Sequence, residues 1–140
     1  NKNMLAPKKV KHRKWHKGKS KDRIKETRGL ELNFGSYGLK ALENKWISAA
    51  QIESCRKVFA KYTKKGGRVW IRIFPDKPVT KKPPEVTMGG GKGDVDHYVF
   101  PVRVGRVLFE IDGLSKEQAE KALRGAAFKL PIKTKIISRE

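Results

Sequence analysis

Residues 66–93 read GGRVWIRIFPDKPVTKKPPEVTMGGGKG, and three textures follow one another along them. From Arg68 to Phe74, Val69, Ile71 and Ile73 alternate with Trp70, Arg72 and Phe74, the period of a strand. Bulk on both faces predicts a central strand, covered on either side. Pro75 ends it. Prolines 75, 78, 83 and 84 then stiffen a lysine-bearing segment. The stretch closes in a glycine loop with Lys92 and almost no other side chain. Backbone that is rigid, then basic, then nearly bare suits close approach to a phosphate-rich partner. It is poorly suited to enclosing a small substrate.

The residues on either side complete a folded domain over 29–140, from which a Pro/Gly-rich loop, 75–97, is expected to protrude. Leu30, Leu32 and Phe34 alternate with polar neighbours as a first strand, ended by Gly35 and Gly38. Ser48 and Gln51 have capping-box spacing, and Ile47 with Ile52 occupies the hydrophobic-staple positions. They predict a helix whose core stripe is Ile52, Cys55, Phe59 and Tyr62, stopped by Gly66. Arg56, Lys57, Lys61, Lys64 and Lys65 stay mostly outside that stripe, as a solvated face or as secondary phosphate contacts. Tyr98, Phe100, Val102 and Val104 share one face, and Val107 to Ile111 follow Gly105-Arg106. That spacing predicts two antiparallel strands joined by a tight turn. Ser115 and Gln118 repeat the capping pattern for a second helix, whose small face (Ala119, Ala122, Leu123, Ala126, Ala127) lets it sit close to a sheet. Pro131 stops it, and Ile132, Thr134 and Ile136 alternate with Lys133 and Lys135 in a last strand. The elements make an α+β sandwich, a mostly antiparallel sheet carrying two helices.

Charge divides the chain unevenly. Its 140 residues hold 34 Lys+Arg against 14 Asp+Glu, a net charge of +20, which repels itself unless a polyanion neutralises it. Residues 1–28 contain 12 of those cations and only Asp22 and Glu26, so half the excess lies in a fifth of the length. With few apolar residues and no sustained period, this segment cannot fold alone. It reads as an extended basic arm that orders on RNA, with a solvated tail as the plainer alternative. Trp15, His12 and His16 among the lysines offer flat rings to bases while ammonium groups meet phosphates. The lone Cys55 excludes an internal disulfide framework and fits a reducing compartment. No apolar run approaches the roughly 18 residues of a membrane span, so a soluble, intracellular chain is expected.

Catalytic constellations are weak. Gly91-Lys92-Gly93 lacks the Ser or Thr and the following helix of a nucleotide-binding P-loop. His12 and His16 have i, i+4 spacing but no cysteine nearby, which disfavours zinc. Asp94, Asp96 and His97 superficially resemble an acid–base group, yet no apolar-walled pocket is implied around them. Cys55 falls on the packed face of its helix. No enzyme activity, catalytic residue, metal or cofactor is expected.

Several longer motifs carry a family resemblance. They are Met4–Lys9 (MLAPKK), His12–Gly18 (HRKWHKG), Phe34–Ala41 (FGSYGLKA), Ile71–Thr80 (IRIFPDKPVT), Met88–Gly93 (MGGGKG) and Lys129–Thr134 (KLPIKT). In this order, and over nearly the whole chain, the sequence resembles the bacterial-type large-subunit ribosomal protein L16 family. The resemblance implies an α+β sandwich of the hammerhead type and a structural, non-catalytic role. Its implied partners are large-subunit rRNA, tRNA in the aminoacyl site and neighbouring ribosomal proteins, with no membrane and no homo-oligomer. Carried onto this chain, Lys8, Lys9, Lys11, His12, Arg13, Lys14, Trp15, His16, Lys17 and Lys19 belong to the rRNA-embedded arm. Arg72, Lys77, Lys81 and Lys82 contact rRNA around the strand and proline segment. Met88, Gly89, Gly90, Gly91, Lys92 and Gly93 form the loop directed at tRNA.

The host ribosome would be that of a bacterial cytoplasm or, alternatively, of an organelle. A free-standing RNA-binding assembly or translation factor is the other functional class the residues allow. Three departures stand out: Asn1 to Asn3 precede Met4, the segment Lys19 to Thr27 is longer than usual, and Thr87 stands where an arginine is common.

Overall fold

The computed structural model describes residues 5–6, 29–81 and 94–139. Within them the chain forms β1 (Tyr37–Ala41), β2 (Lys45–Ser48), α1 (Ala49–Thr63), β3 (Arg68–Ile71) and β4 (Lys77–Lys81). β5 (Asp94–Val102), β6 (Val107–Asp112), α2 (Lys116–Ala127) and β7 (Thr134–Ser138) follow. All pairings are antiparallel. The architecture is the expected α+β sandwich, but its strands divide between two sheets, one ordered β3-β6-β1-β7 and the other β2-β5-β4. α1 packs on β2, β5 and β3, α2 on β1 and β7, and the helices on each other.

α1 begins as its sequence dictates. Ser48 Oγ accepts from Gln51 N at 3.2 Å, and Ser48 N donates to Gln51 Oε1 at 2.9 Å, a complete capping box. Ile47 and Ile52, at the staple positions, are fully buried, as are Cys55 and Phe59 further along. α2 has half of the box, with Gln118 N donating to Ser115 Oγ. Its small face brings it close to α1 as well as to the sheet. The Cys55 thiol donates to Ala126 O at 3.4 Å, and burial pushes that thiol up to about 12.

Four sequence expectations are corrected. Residues 30–34 alternate like a strand but do not pair as one. Strand β1 starts at Tyr37 and runs through Gly38, where a Cβ would run into Leu32 Cδ2 and lie 2.9 Å from Phe109 O. The glycine therefore permits close approach rather than ending a strand. Second, among the described residues β3 is an edge strand, paired with β6 alone, and it ends at Ile71. Its two bulky faces have different causes. Val69 and Ile71 pack on the core, while Trp70 on the other face stacks against Phe34.

Third, β5 and β6 are not a hairpin. Arg106 N donates to Arg103 O as a tight turn would. The neighbouring amides, however, go elsewhere: Val104 N to Asn44 Oδ1 and Gly105 N to Ala41 O. The chain is captured there by the end of β1 and leaves one sheet for the other. Fourth, half of the proline segment is strand β4, paired with β5 from Lys77–Val99 to Lys81–Asp94. The short β2, KWIS, went unread in the sequence.

Candidate nucleic-acid interface

The middle of β6 is apolar except for one residue. Glu110 is 0% exposed, and pairing sets it opposite Trp70 on one side and Gly38 on the other, away from the core face of Phe109 and Ile111. A carboxylate buried there requires compensation. Oε1 accepts three successive backbone N–H groups, from Asn33, Phe34 and Gly35, at 2.8–2.9 Å. Oε2 lies 2.9 Å from Arg72 Nη1, an ionic contact outside hydrogen-bond geometry. Arg72 also donates to Glu31 O, and Arg106 Nη2 donates to Arg72 O at 3.0 Å. One carboxylate thus pins residues 33–35 across the outer face of the four-stranded sheet, and its partner Arg72 holds Glu31 beside them.

The pinned segment positions a ring. Phe34 stacks on Trp70 with centroids 5.8 Å apart and planes 19° apart. The Arg72 guanidinium lies 5.9 Å from the Phe34 centroid, and that of Arg68 lies 5.8 Å from the Trp70 centroid. At the start of β3, a cleft of about 370 Å³ is lined by Lys61, Tyr62, Lys64, Lys65, Gly113 and Gln118, with no acid among its lining residues. Among the described residues no group of three or more His, Cys, Asp or Glu is placed to hold a metal ion. Asp96 and His97 form an exposed pair 2.7 Å apart on β5. No described helix is long and apolar enough to cross a membrane.

Residues 7–137 match the model of the family described as ribosomal protein L16p/L10e. The chain belongs to that family. It is 51% identical over 137 residues to large ribosomal subunit protein uL16c from Cyanidium caldarium, covering 98% of this chain and 96% of that protein. As an L16p/L10e protein it is a structural constituent of the large ribosomal subunit, associated there with rRNA and other ribosomal proteins.

Against that role, the basic residues of this L16p/L10e chain separate into groups. Arg72, expected on rRNA, is turned inward to Glu110 and is almost wholly buried. Lys77 is 7% exposed, its Nζ 4.4 Å from the Trp46 ring centroid. Both position the chain, and neither offers its charge freely to solvent. Lys81 ends β4 opposite Asp94. Lys82, Met88 to Gly93, Thr87 and the arm residues from Lys8 to Lys19 lie outside the described residues. Leu5, at the start of the arm, packs against the core cluster.

Sequence reasoning missed Glu110, Phe34, Trp70, Arg68 and Trp46 as members of these arrangements. A signal was present. A glutamate inside VLFEI and an arginine inside WIRI are opposite charges in two strands that must both be covered.

Proposed function

We propose that this ribosomal protein holds rRNA with its amino-terminal basic segment and presents residues 88–93 to tRNA in the aminoacyl site of an organellar ribosome. The observation that carries this reading is the β4–β5 ladder, whose last pair is Lys81 opposite Asp94. Both ends of the connection 82–93 therefore leave the domain from adjacent points at the end of the three-stranded sheet. A glycine-rich tip on such a base brings backbone N–H groups and Lys92 to phosphate oxygens without side-chain obstruction.

Mechanistically the work is positional, with no bond made or broken. Lys8, Lys9, Lys11, Arg13, Lys14, Lys17 and Lys19 neutralise phosphates and release counterions, which makes incorporation salt-dependent. Trp15, His12 and His16 stack on bases between them. The organellar assignment is supported by the chloroplast ribosomal relative from Cyanidium caldarium.

Large subunits carrying a chain lacking Met88 to Gly93 test the loop. They are expected to contain the protein at normal occupancy and to accommodate aminoacyl-tRNA slowly; normal accommodation would refute the reading. Deleting 7–18, which spares Leu5, is expected to lower occupancy and to make the binding that remains less steeply dependent on salt.

A further inference from the structure

We propose that Phe34, Trp70 and Arg68 form a platform on which the protein holds an unpaired base of rRNA. The proposal rests on the chain's place in the large subunit and names the kind of nucleotide that this face takes. Arg68 and Trp70 are alternate residues of β3, so they share its outer face, and Trp70 stands opposite Glu110 there. Phe34 arrives from a separate segment and stacks on Trp70, and the Arg68 guanidinium also lies over the Trp70 ring. The result is a row of flat groups, ring beside ring and guanidinium beside ring.

Three features point to a base. Phe34 is 54% exposed, yet its backbone is fixed by the 2.8 Å bond from its N–H to Glu110. An exposed ring held in place loses little freedom when a second ring settles on it. Among the described residues the platform also lies on an edge strand of its sheet, with no strand paired on its open side. Finally, the charge is complementary. Arg72 is neutralised by Glu110, whereas Arg68 is exposed and is held over Trp70. Arg68 can swing from the indole to a phosphate of the nucleotide whose base stacks on Phe34, so the row keeps a cation beside it. A duplex hides its base faces inside the stack, so the occupant is a looped-out, bulged or single-stranded nucleotide.

The test compares large subunits containing wild-type protein, Phe34→Leu or Arg68→Gln by 2′-hydroxyl acylation of the rRNA, which reports nucleotide mobility. Phe34→Leu leaves the backbone bond to Glu110 in place, and Arg68→Gln changes an exposed side chain, so one serves if the other fails to fold. The expected result is normal occupancy and about a fivefold or greater rise in reactivity at the same one to three unpaired nucleotides in both variants. An unchanged profile at normal occupancy overturns the platform alone. So does a rise confined to paired nucleotides or spread evenly over the rRNA. Failure of the wild-type chain to enter large subunits overturns the ribosomal assignment and the platform with it.

Discussion

Just past β3 of the four-stranded sheet a largely covered cation, Arg72, meets a carboxylate. In the three-stranded sheet, five residues later, Lys77 meets an indole. The two cations come from one continuous motif, IRIFPDK, and differ in what their compensation fixes. Glu110 binds three backbone amides as well as Arg72, so removing it unpins a segment and strands a charge. Trp46 offers Lys77 a ring face, a weaker and less directional partner. The first region is fixed by directional hydrogen bonds; in the second the contact to the ring is less directional. The lesson concerns strongly basic chains. Their most informative arginine or lysine is one that the fold withholds from the polyanion.

Glu110→Gln should break the contrast most sharply. It keeps the shape but leaves Arg72 buried without a counter-charge, at a cost of about 3–5 kcal/mol. Urea denaturation of the free protein measures it, and a combined Arg72→Met, Glu110→Gln chain should recover part of the loss. A cost under 1 kcal/mol would show that the carboxylate is not the pin. Next in size is Gly38→Ala, in the same sheet, where the new methyl meets Leu32 and Phe109 O. Overpacking of this kind costs about 1–3 kcal/mol, visible as a lower Tm. Lys77→Met is the counterpart on the other sheet and should change stability by no more than about 1 kcal/mol in either direction. A loss as large as that of Glu110→Gln would erase the distinction between the two regions.

The smallest effect is a pH dependence. The hydrogen bond from Ser36 Oγ, at 2.7 Å, and one from the Gly113 backbone hold the Asp112 carboxyl below its usual range. A depressed carboxylate stabilises the fold above its unfolded pKa, and that contribution fades as pH falls through the folded value. Ser36→Ala should therefore be less stable than wild type at neutral pH. The two denaturation curves should converge on acidification below the ordinary aspartate range. A gap that persists in acid would mean Ser36 acts through packing alone.

Both helices were legible because their signals lie within a few residues of one another. Ser48 and Gln51 cap each other, and the Ile52–Cys55–Phe59 stripe needs no distant partner to be recognised. The division into two sheets was not legible, since it depends on Asn44 and Ala41 taking the amides of Val104 and Gly105 some 60 residues away. Residues 30–34 show the same limit. Their alternation is genuine, but the amides of residues 33–35 go to Glu110, more than 70 residues distant, instead of to a neighbouring strand. Within the motif IRIFPDKP, two of the charges expected on rRNA turn out to have partners inside the fold. Arg72 and Lys77 were expected on rRNA because the family resemblance implies it, not because of their own surroundings. Their partners, Glu110 and Trp46, lie far away in sequence.

The pairing of Lys81 with Asp94 also bears on how this protein can diversify. Because the strands close that gap themselves, the closure cost of whatever joins them rises only slowly with length, by about 0.6 kcal/mol for each doubling. The joint behaves as a socket. The insert can be lengthened, shortened or recomposed with little penalty to the domain while the frame beneath stays constant.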